Sequence, residues 1–354
     1  MHVGLSLLTL APGDLGGSET YARALARTLA TQGTHEYTAF VPKHSADSAG
    51  GLRAVSVGEL PLARRGPARI AAMKLSTRLT GAVRREARQV DVLHYPLTVP
   101  IPRSRGPTAV TIHDLLHHDH PEHFTRSRRG FRRSAYDGAS RHAAALVVPS
   151  HFVRGRVLAQ LGLEETRVHV VAHGVDHALF SPGDEAREPF LLYPARPWPH
   201  KNHTRLLQAF VLLRADLPEL KLVLTGGGLE ELGTLPEGVD RLGTVRPEEL
   251  ASLYRTAACL VFPSLYEGFG LPPLEAMASG CPVAAANAAS IPEICGDAAV
   301  YFDPNDPEAI ANGVREALAL ADELRELGIA RAAEFTWEES ARRHEEVYLA
   351  ASRG

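Results

Sequence analysis

Short runs that are apolar throughout alternate with segments of helical length, and this alternation restricts the fold more than any other feature of the chain. The apolar runs are His2–Leu8, Tyr37–Val41, Val90–His94, Thr108–His113, Ala145–Pro149, Val168–Val171, Phe190–Pro194, Lys221–Thr225, Cys259–Pro263 and Pro282–Ala286. Runs without polar alternation suit strands buried on both faces, as in parallel sheets. Helical patterns lie between them, at Ser18–Thr31, Arg69–Arg88, Phe131–Ala143, His151–Leu161, His203–Leu213, Glu248–Arg255 and Leu274–Ser279. The order predicts α/β, doubly wound architecture. Ten strands exceed one typical sheet, and 354 residues at roughly 100–200 per domain also point to two domains. The polar, Pro/Gly-bearing stretch Ser181–Pro189 marks the boundary.

Charge changes at the same place. Residues 1–180 carry 23 Lys+Arg and 14 Asp+Glu, a net of +9, whereas residues 181–354 carry 15 and 27, a net of -12. The two halves therefore should do different jobs. Three cysteines without metal-ligand spacing suit a reducing, cytoplasmic setting and give no cysteine-based zinc site. The first ten residues lack a basic region and a cleavage site, so they read as a buried strand and not a signal peptide. No apolar run approaches the roughly 18 residues of a membrane span. Aromatic residues are 6% of the chain, which speaks against nucleic-acid binding.

Four segments carry chemistry. In LAPGDLGGSET (10–20) a strand leads through glycines into a helix with Ser18 as a candidate N-cap. Gly16 and Gly17 would let backbone amides approach a phosphate, or they simply form a turn. The spacing is not the dinucleotide fingerprint, and the second strand ends without the ribose-binding acid, which disfavours a nicotinamide oxidoreductase. In YPARPWPHKN (193–202) Arg196 and Lys201 flank a Pro-rich turn before a helix, where two cations suit a diphosphate or are solvated loop charges. In ACLVFPSLYEGFGLPPLEAMASGCPV (258–283) Glu267 and Glu275 bracket Gly268, Phe269, Gly270 and Leu271. Loop amides and two carboxylates there suit an anion and vicinal hydroxyls, with the helix opening at Pro272 or Pro273 and Glu275 in its first turn. In TIHDLLHHDHPEHF (111–124) His113 ends a strand where α/β active sites form. The five histidines lack a His-x3-His pattern with an acidic base, and Pro121 interrupts any long helix, so no metal is expected.

Together GGSET, HDLLHHDHPEHF, PSHFVRGRVL, VAHGVD, PARPWPHKN, LTGGG, LGTVRPEELASLYRTA and EGFGLPPLEAMASGCPVAAANAASIPEICGDAA resemble family 4 retaining glycosyltransferases, from Met1 to about Tyr348. The resemblance implies the GT-B fold, two Rossmann-like domains facing across a cleft. Residues 1–180 would bind the acceptor, 181–335 the nucleotide sugar, and a helix in 336–354 would pack back on the first domain. It also implies that Arg196 and Lys201 hold the donor diphosphate, that Glu275 accepts from ribose hydroxyls and that Glu267 contacts the transferred sugar. The amides of Gly268–Leu271 and of Gly16–Gly17 would surround sugar and phosphate, and His113 would lie near the anomeric centre. His173 stands where many members carry Asn and is given no catalytic role.

No cofactor and no metal are then needed, because the two cations neutralise the diphosphate. The His-Pro-Glu string is reminiscent of mannosyltransferases, so GDP-mannose is the expected donor and a UDP-glucose or UDP-N-acetylhexosamine the alternative. An epimerase and a non-catalytic nucleotide-sugar-binding protein are the competing functions. The acceptor would be a saccharide or lipid-linked saccharide. Arg64, Arg65, Arg69, Lys74, Arg78, Arg84, Arg85 and Arg88 form a basic helical face, either solvated or in peripheral contact with the anionic inner face of a membrane.

Overall fold

A computed structural model gives the structure and describes residues 1–13, 16–58, 66–79 and 81–353, without the side chains of 66–69, 78 and 79. Arg64 and Arg65 and the side chains of Arg69 and Arg78 lie outside what is described. The chain forms two units. The first combines Met1–Gly174 with Trp337–Gly354 and the second is Val175–Thr336, so the break falls just ahead of Ser181–Pro189.

The first unit holds a seven-stranded parallel sheet. Its strands are β1 (His2–Ser6), β2 (Glu36–Pro42), β3 (Arg53–Val57), β4 (Val92–Tyr95), β5 (Thr108–Thr111), β6 (Ala145–Val148) and β7 (Val168–Val170), in the order β3-β2-β1-β4-β5-β6-β7. The chain winds outward from β1, then returns and winds the other way from β4, so the sheet reverses between β1 and β4. The second unit holds β8 (Glu188–Pro194), β9 (Lys221–Thr225), β10 (Val239–Gly243), β11 (Ala257–Phe262), β12 (Val283–Ala286) and β13 (Val300–Phe302), in the order β10-β9-β8-β11-β12-β13. All pairings are parallel, and this sheet reverses between β8 and β11. Ligands of open α/β sheets bind beyond the strand C-termini at such reversals, because the flanking loops diverge there and leave a crevice.

Among the described residues, thirteen strands replace the ten read from sequence. The extra ones, β3, β10 and β13, are all sheet edges, and β3 and β10 carry mostly exposed or half-exposed residues, so neither presents the wholly apolar run used to find the others. The single helix expected over Arg69–Arg88 is two, Gly66–Leu79 and Gly81–Glu86. Helices Pro307–Ala319 and Ala321–Ala333 were not anticipated. The first helix spans Gly17–Gln32 and its N-cap is Gly16, not Ser18. Gly16 has φ +55° and ψ -132°, a conformation reached almost only by glycine, and it displaces serine from the capping position.

The C-terminal helix, Trp337–Arg353, belongs to the first unit. It buries Trp337, Ser340, Ala341, His344, Val347, Tyr348 and Ala351. The three- and four-residue spacing puts these on one stripe, which joins the core formed by Val3, Leu5, Tyr21, Leu25 and Leu29. Glu345 fastens the stripe's edge, accepting from the Thr34 N–H at 2.6 Å and from Tyr37 Oη at 2.5 Å. The three cysteines are reduced and buried.

Candidate active site

In the second unit the crevice at the reversal is lined by the segments that follow β8 and β11. After β8 the chain makes a short 3-10 turn, Pro199–Lys201, and enters helix His203–Asp216. After β11 a glycine-bearing loop leads into helix Leu271–Ala278. Uncharged groups fix the two segments together. The Leu265 N–H donates to the His200 carbonyl at 2.8 Å. Asn202, in the left-handed region at φ +60°, donates through Nδ2 to the carbonyls of Pro263 at 3.1 Å and Pro304 at 2.7 Å. Tyr193 Oη donates to the Lys201 carbonyl at 2.6 Å.

These contacts bring Lys201 Nζ within 2.5 Å of Glu267 Oε1, with the side chains only 14% and 15% exposed. Sequence reasoning gave the two residues separate partners; the fold pairs them across 66 residues. A carboxylate beside a half-desolvated ammonium offsets much of the cost of removing that charge from water. Arg196 stands by the next loop. A Cβ on Gly227 would lie 3.7 Å from Arg196 Nη2, and one on Gly226 would sit 2.9 Å from the Ala195 backbone, so this close approach requires glycine. The indole of Trp198 faces the Arg196 guanidinium at 5.8 Å.

Glu275 lies in the second turn of its helix, because the helix opens at Leu271, one or two residues earlier than the prolines suggested. Complementing the helix dipole, a first-turn effect, therefore does not explain it. Among the described residues no ion pair reaches it. Tyr254 Oη donates to Glu275 Oε2 at 3.1 Å, and burial pushes the carboxyl up to about 7. The loop before this helix is shaped by Ser290, whose hydroxyl lies 3.0 Å from the Glu267 carbonyl and 2.8 Å from the Phe269 carbonyl. The Phe269 ring meets Phe335 edge to face. Gly270 caps the helix at φ +119°, and Leu271 supplies a first-turn N–H while Pro272 and Pro273 supply none. The loop thus offers fewer helix-terminal donors than an ordinary N-terminus.

In the first unit His113 follows β5. Its Nε2 is 2.8 Å from the Pro96 carbonyl, so in the neutral ring Nε2 carries the proton and Nδ1 is the acceptor. Burial holds it below the usual imidazole range. Thr98, at φ +68°, presents the Pro96 carbonyl by donating its hydroxyl to the Thr111 carbonyl at 2.7 Å. Asp114 accepts from the Leu116 N–H at 2.9 Å and from Arg132 Nη1 at 3.0 Å. Gly16 and Gly17 open the first helix beside a closed turn in which the Gly13 N–H donates to Glu19 Oε2 at 2.8 Å. His173 is buried against Tyr21 and stacks on Trp337. Sequence reasoning gave no role to Tyr193, Asn202, Tyr254 or Ser290, although all four lie within the motifs it singled out.

Comparison with known proteins matches both units. Residues 15–179 match the family model described as Glycosyltransferase Family 4, and residues 176–334 match the one described as Glycosyl transferases group 1. O-antigen chain mannosyltransferase B of Escherichia coli is 31% identical over 273 residues, 70% of this chain and 71% of that protein. MMP alpha-(1->4)-mannosyltransferase of Mycolicibacterium hassiacum is 33% identical over 227 residues, 59% of this chain and 54% of that protein. Among solved structures, sucrose-phosphate synthase from Thermosynechococcus elongatus superposes with a TM-score of 0.81 at 21% identity, covering 99% of this chain and 98% of that one.

Proposed function

This chain belongs to glycosyltransferase family 4, a hexosyltransferase of the GT-B fold, and we propose that it transfers mannose with retention from GDP-mannose to a saccharide or lipid-linked saccharide. The mannosyltransferase relative that matches 70% of the chain supports the sugar. The observation that carries the site assignment is the Lys201–Glu267 pair at the sheet reversal. Cleaving a glycosyl–phosphate bond builds negative charge on the diphosphate and positive charge on the sugar. Lys201 and Arg196 stabilise the first, together with the loop amides of Gly268–Leu271. When a phosphate takes Lys201, Glu267 is released to accept hydrogen bonds from the sugar hydroxyls. Glu275 accepts from the ribose. The leaving phosphate takes the acceptor proton on the same face, which gives retention without a covalent carboxylate adduct. The chemistry needs no cofactor, and two protein cations do the work that a divalent ion would do on the diphosphate.

For the acceptor, Arg84, Arg85 and Arg88 line an open hollow of about 430 Å³ with Gly81 and Gln89, and Lys74 is exposed on the preceding helix. This basic face suits the phosphates of an anionic membrane or of a lipid diphosphate. Among the described residues no helix is long and apolar enough to cross a membrane. A thermal-shift panel of GDP, UDP and ADP sugars tests the donor, since at equal concentration a tighter ligand stabilises the fold more. GDP-mannose should stabilise selectively; preferential stabilisation by a UDP sugar would overturn that donor. Incubation with donor alone should give no epimerised sugar. Flotation with anionic liposomes at low salt should carry the protein upward, and absence of binding would remove the membrane contact.

A further inference from the structure

Three side chains outside the proposed donor site form a compact donor set. His117 Nε2 lies 3.3 Å from Asp137 Oδ1, and His118 Nε2 lies 3.1 Å from both Asp137 oxygens. One donor atom from each residue falls within 4.8 Å of the others. A tetrahedral ion with bonds of about 2.0–2.1 Å holds its ligands roughly 3.3 Å apart, close to these separations. We propose that His117, His118 and Asp137 form a zinc site with three protein ligands.

Burial supports the assignment. His117 is fully buried and the Asp137 side chain is 7% exposed. A buried carboxylate calls for a countercharge. The guanidinium in this neighbourhood, Arg132, is committed to Asp114 at 3.0 Å. Two imidazoles and one carboxylate are common zinc donors and leave the fourth position to water.

The backbone also aims these groups. Asp137 ends a π-helical turn, Arg133–Asp137, inserted between helices Arg126–Arg132 and Gly138–His142. Such wide turns insert an extra residue and reorient the side chains around it. The expectation of no metal rested on spacing within residues 111–124, whereas the carboxylate comes from residue 137. Zinc here would clamp the Leu116–Asp119 helix, just beyond His113 and Asp114, to the helical segment that carries Arg132, without taking part in sugar transfer.

The test uses the full chain without a histidine tag, stripped with chelator and titrated with Co2+ and then Zn2+. One equivalent of Co2+ should give the visible bands of a four-coordinate ion, Zn2+ should displace it, and Zn2+ should raise the unfolding midpoint. Asp137→Asn and His118→Gln should each weaken binding by at least about 100-fold. The control His120→Gln/His123→Gln, which removes a neighbouring His/Glu group, should leave binding unchanged. Failure to bind either ion at micromolar concentration, wild-type affinity in Asp137→Asn, or loss of binding in the control would overturn the site. If Asp137→Asn does not fold, His118→Gln gives the same readout. A cooperative unfolding transition of the metal-free variant at the parent's metal-free midpoint reports that a variant is intact.

Discussion

Replacing Tyr21 with phenylalanine should destabilise the first unit by about 2–4 kcal/mol, the cost of orphaning two buried polar groups at about 1–2 kcal/mol each. The hydrogen bonds around Tyr21 can be assigned one proton at a time. His344 Nδ1 faces the Ser340 carbonyl at 2.7 Å, which can only accept, so Nδ1 carries the proton and Nε2 accepts from Tyr21 Oη at 2.7 Å. Tyr21 has then spent its hydrogen and accepts from Thr111 Oγ1 at 2.9 Å. Thr111 in turn accepts from His94 Nε2 at 2.9 Å, and His94 Nδ1 accepts from Tyr348 Oη at 2.9 Å. The chain begins and ends on the C-terminal helix and runs through the sheet, with both imidazoles neutral. Tyr21→Phe would strand the His344 acceptor and the Thr111 hydroxyl. For a unit of this size each kcal/mol shifts the unfolding midpoint by about 2–4 °C, so calorimetry should read a loss of roughly 5–15 °C. Adding His344→Leu removes one stranded group, so the double variant should be less destabilised than the sum of the singles by about 1–2 kcal/mol. Acid should act on the same chain. Burial holds His344 at about 4 against an ordinary 6.5, so the folded state binds fewer protons than the unfolded state between those values. That stability is present above pH 6.5 and is lost as pH falls toward 4, by about 3 kcal/mol in all, and His344→Leu should flatten this arm. A Tyr21→Phe midpoint within about 1 °C of the parent, or strict additivity with His344→Leu, would refute the ordered chain.

Lys201→Met should lower the transfer rate about 10²–10³-fold. It should also leave Glu267 stranded, so Lys201→Met/Glu267→Gln should melt above Lys201→Met alone, and equal midpoints would deny the pair any role in the fold. Nucleotide affinity should rise with pH through about 7 and level off about one pH unit above it, because ionised Glu275 is the better acceptor for ribose hydroxyls and its carboxyl titrates there. Calorimetric titration checks this, and Glu275→Gln should give a flat profile. Ser290→Ala frees the loop that carries Glu267 and should cut kcat/KM by about 10-fold or more, since small displacements of positioning groups are costly, while the midpoint falls by only a few degrees. A wild-type rate in that variant would show that the loop holds its shape without the hydroxyl.

Legibility from sequence followed burial. Strands such as β6 and β12 are buried at every position and read directly as apolar runs. At the edges the signal is lost, because residues such as Asp240 and Arg241 in β10 face solvent and resemble a turn. Lys201 and Glu267 were legible as residue types near strand ends, but their pairing depends on β8 and β11 being neighbours, which follows from sheet order and not from spacing. The position of Glu275 in its helix turned on Gly270, whose left-handed φ sets the start. Ser290 and Asn202 were opaque because they act through backbone carbonyls remote in sequence. Asp137 reaches His117 and His118 only through a π-helical turn, which no periodicity announces.

The acidic second half of the chain poses a problem for anion binding that local structure resolves. Many of its carboxylates are engaged away from the sheet reversal: Glu185 with Arg255, Asp216 with Arg315 and Glu334 with Arg331. At the reversal Arg196 and Lys201 bring two cations, Lys201 pairs with Glu267, and burial holds the Glu275 carboxyl up at about 7. Tyr193, Asn202 and Ser290 shape the surrounding backbone without adding charge. The crevice is therefore less negative than the unit around it. A diphosphate arriving there meets two cations and the paired carboxylate of Glu267 instead of the field of the whole acidic half. Screening supports the same conclusion, because at physiological ionic strength charges more than about 8 Å away on the surface are largely hidden from the ligand. The donor affinity of such a site should depend only weakly on the salt bridges of the outer helices and strongly on Lys201, so Arg315→Ala should leave nucleotide binding unchanged where Lys201→Met abolishes it.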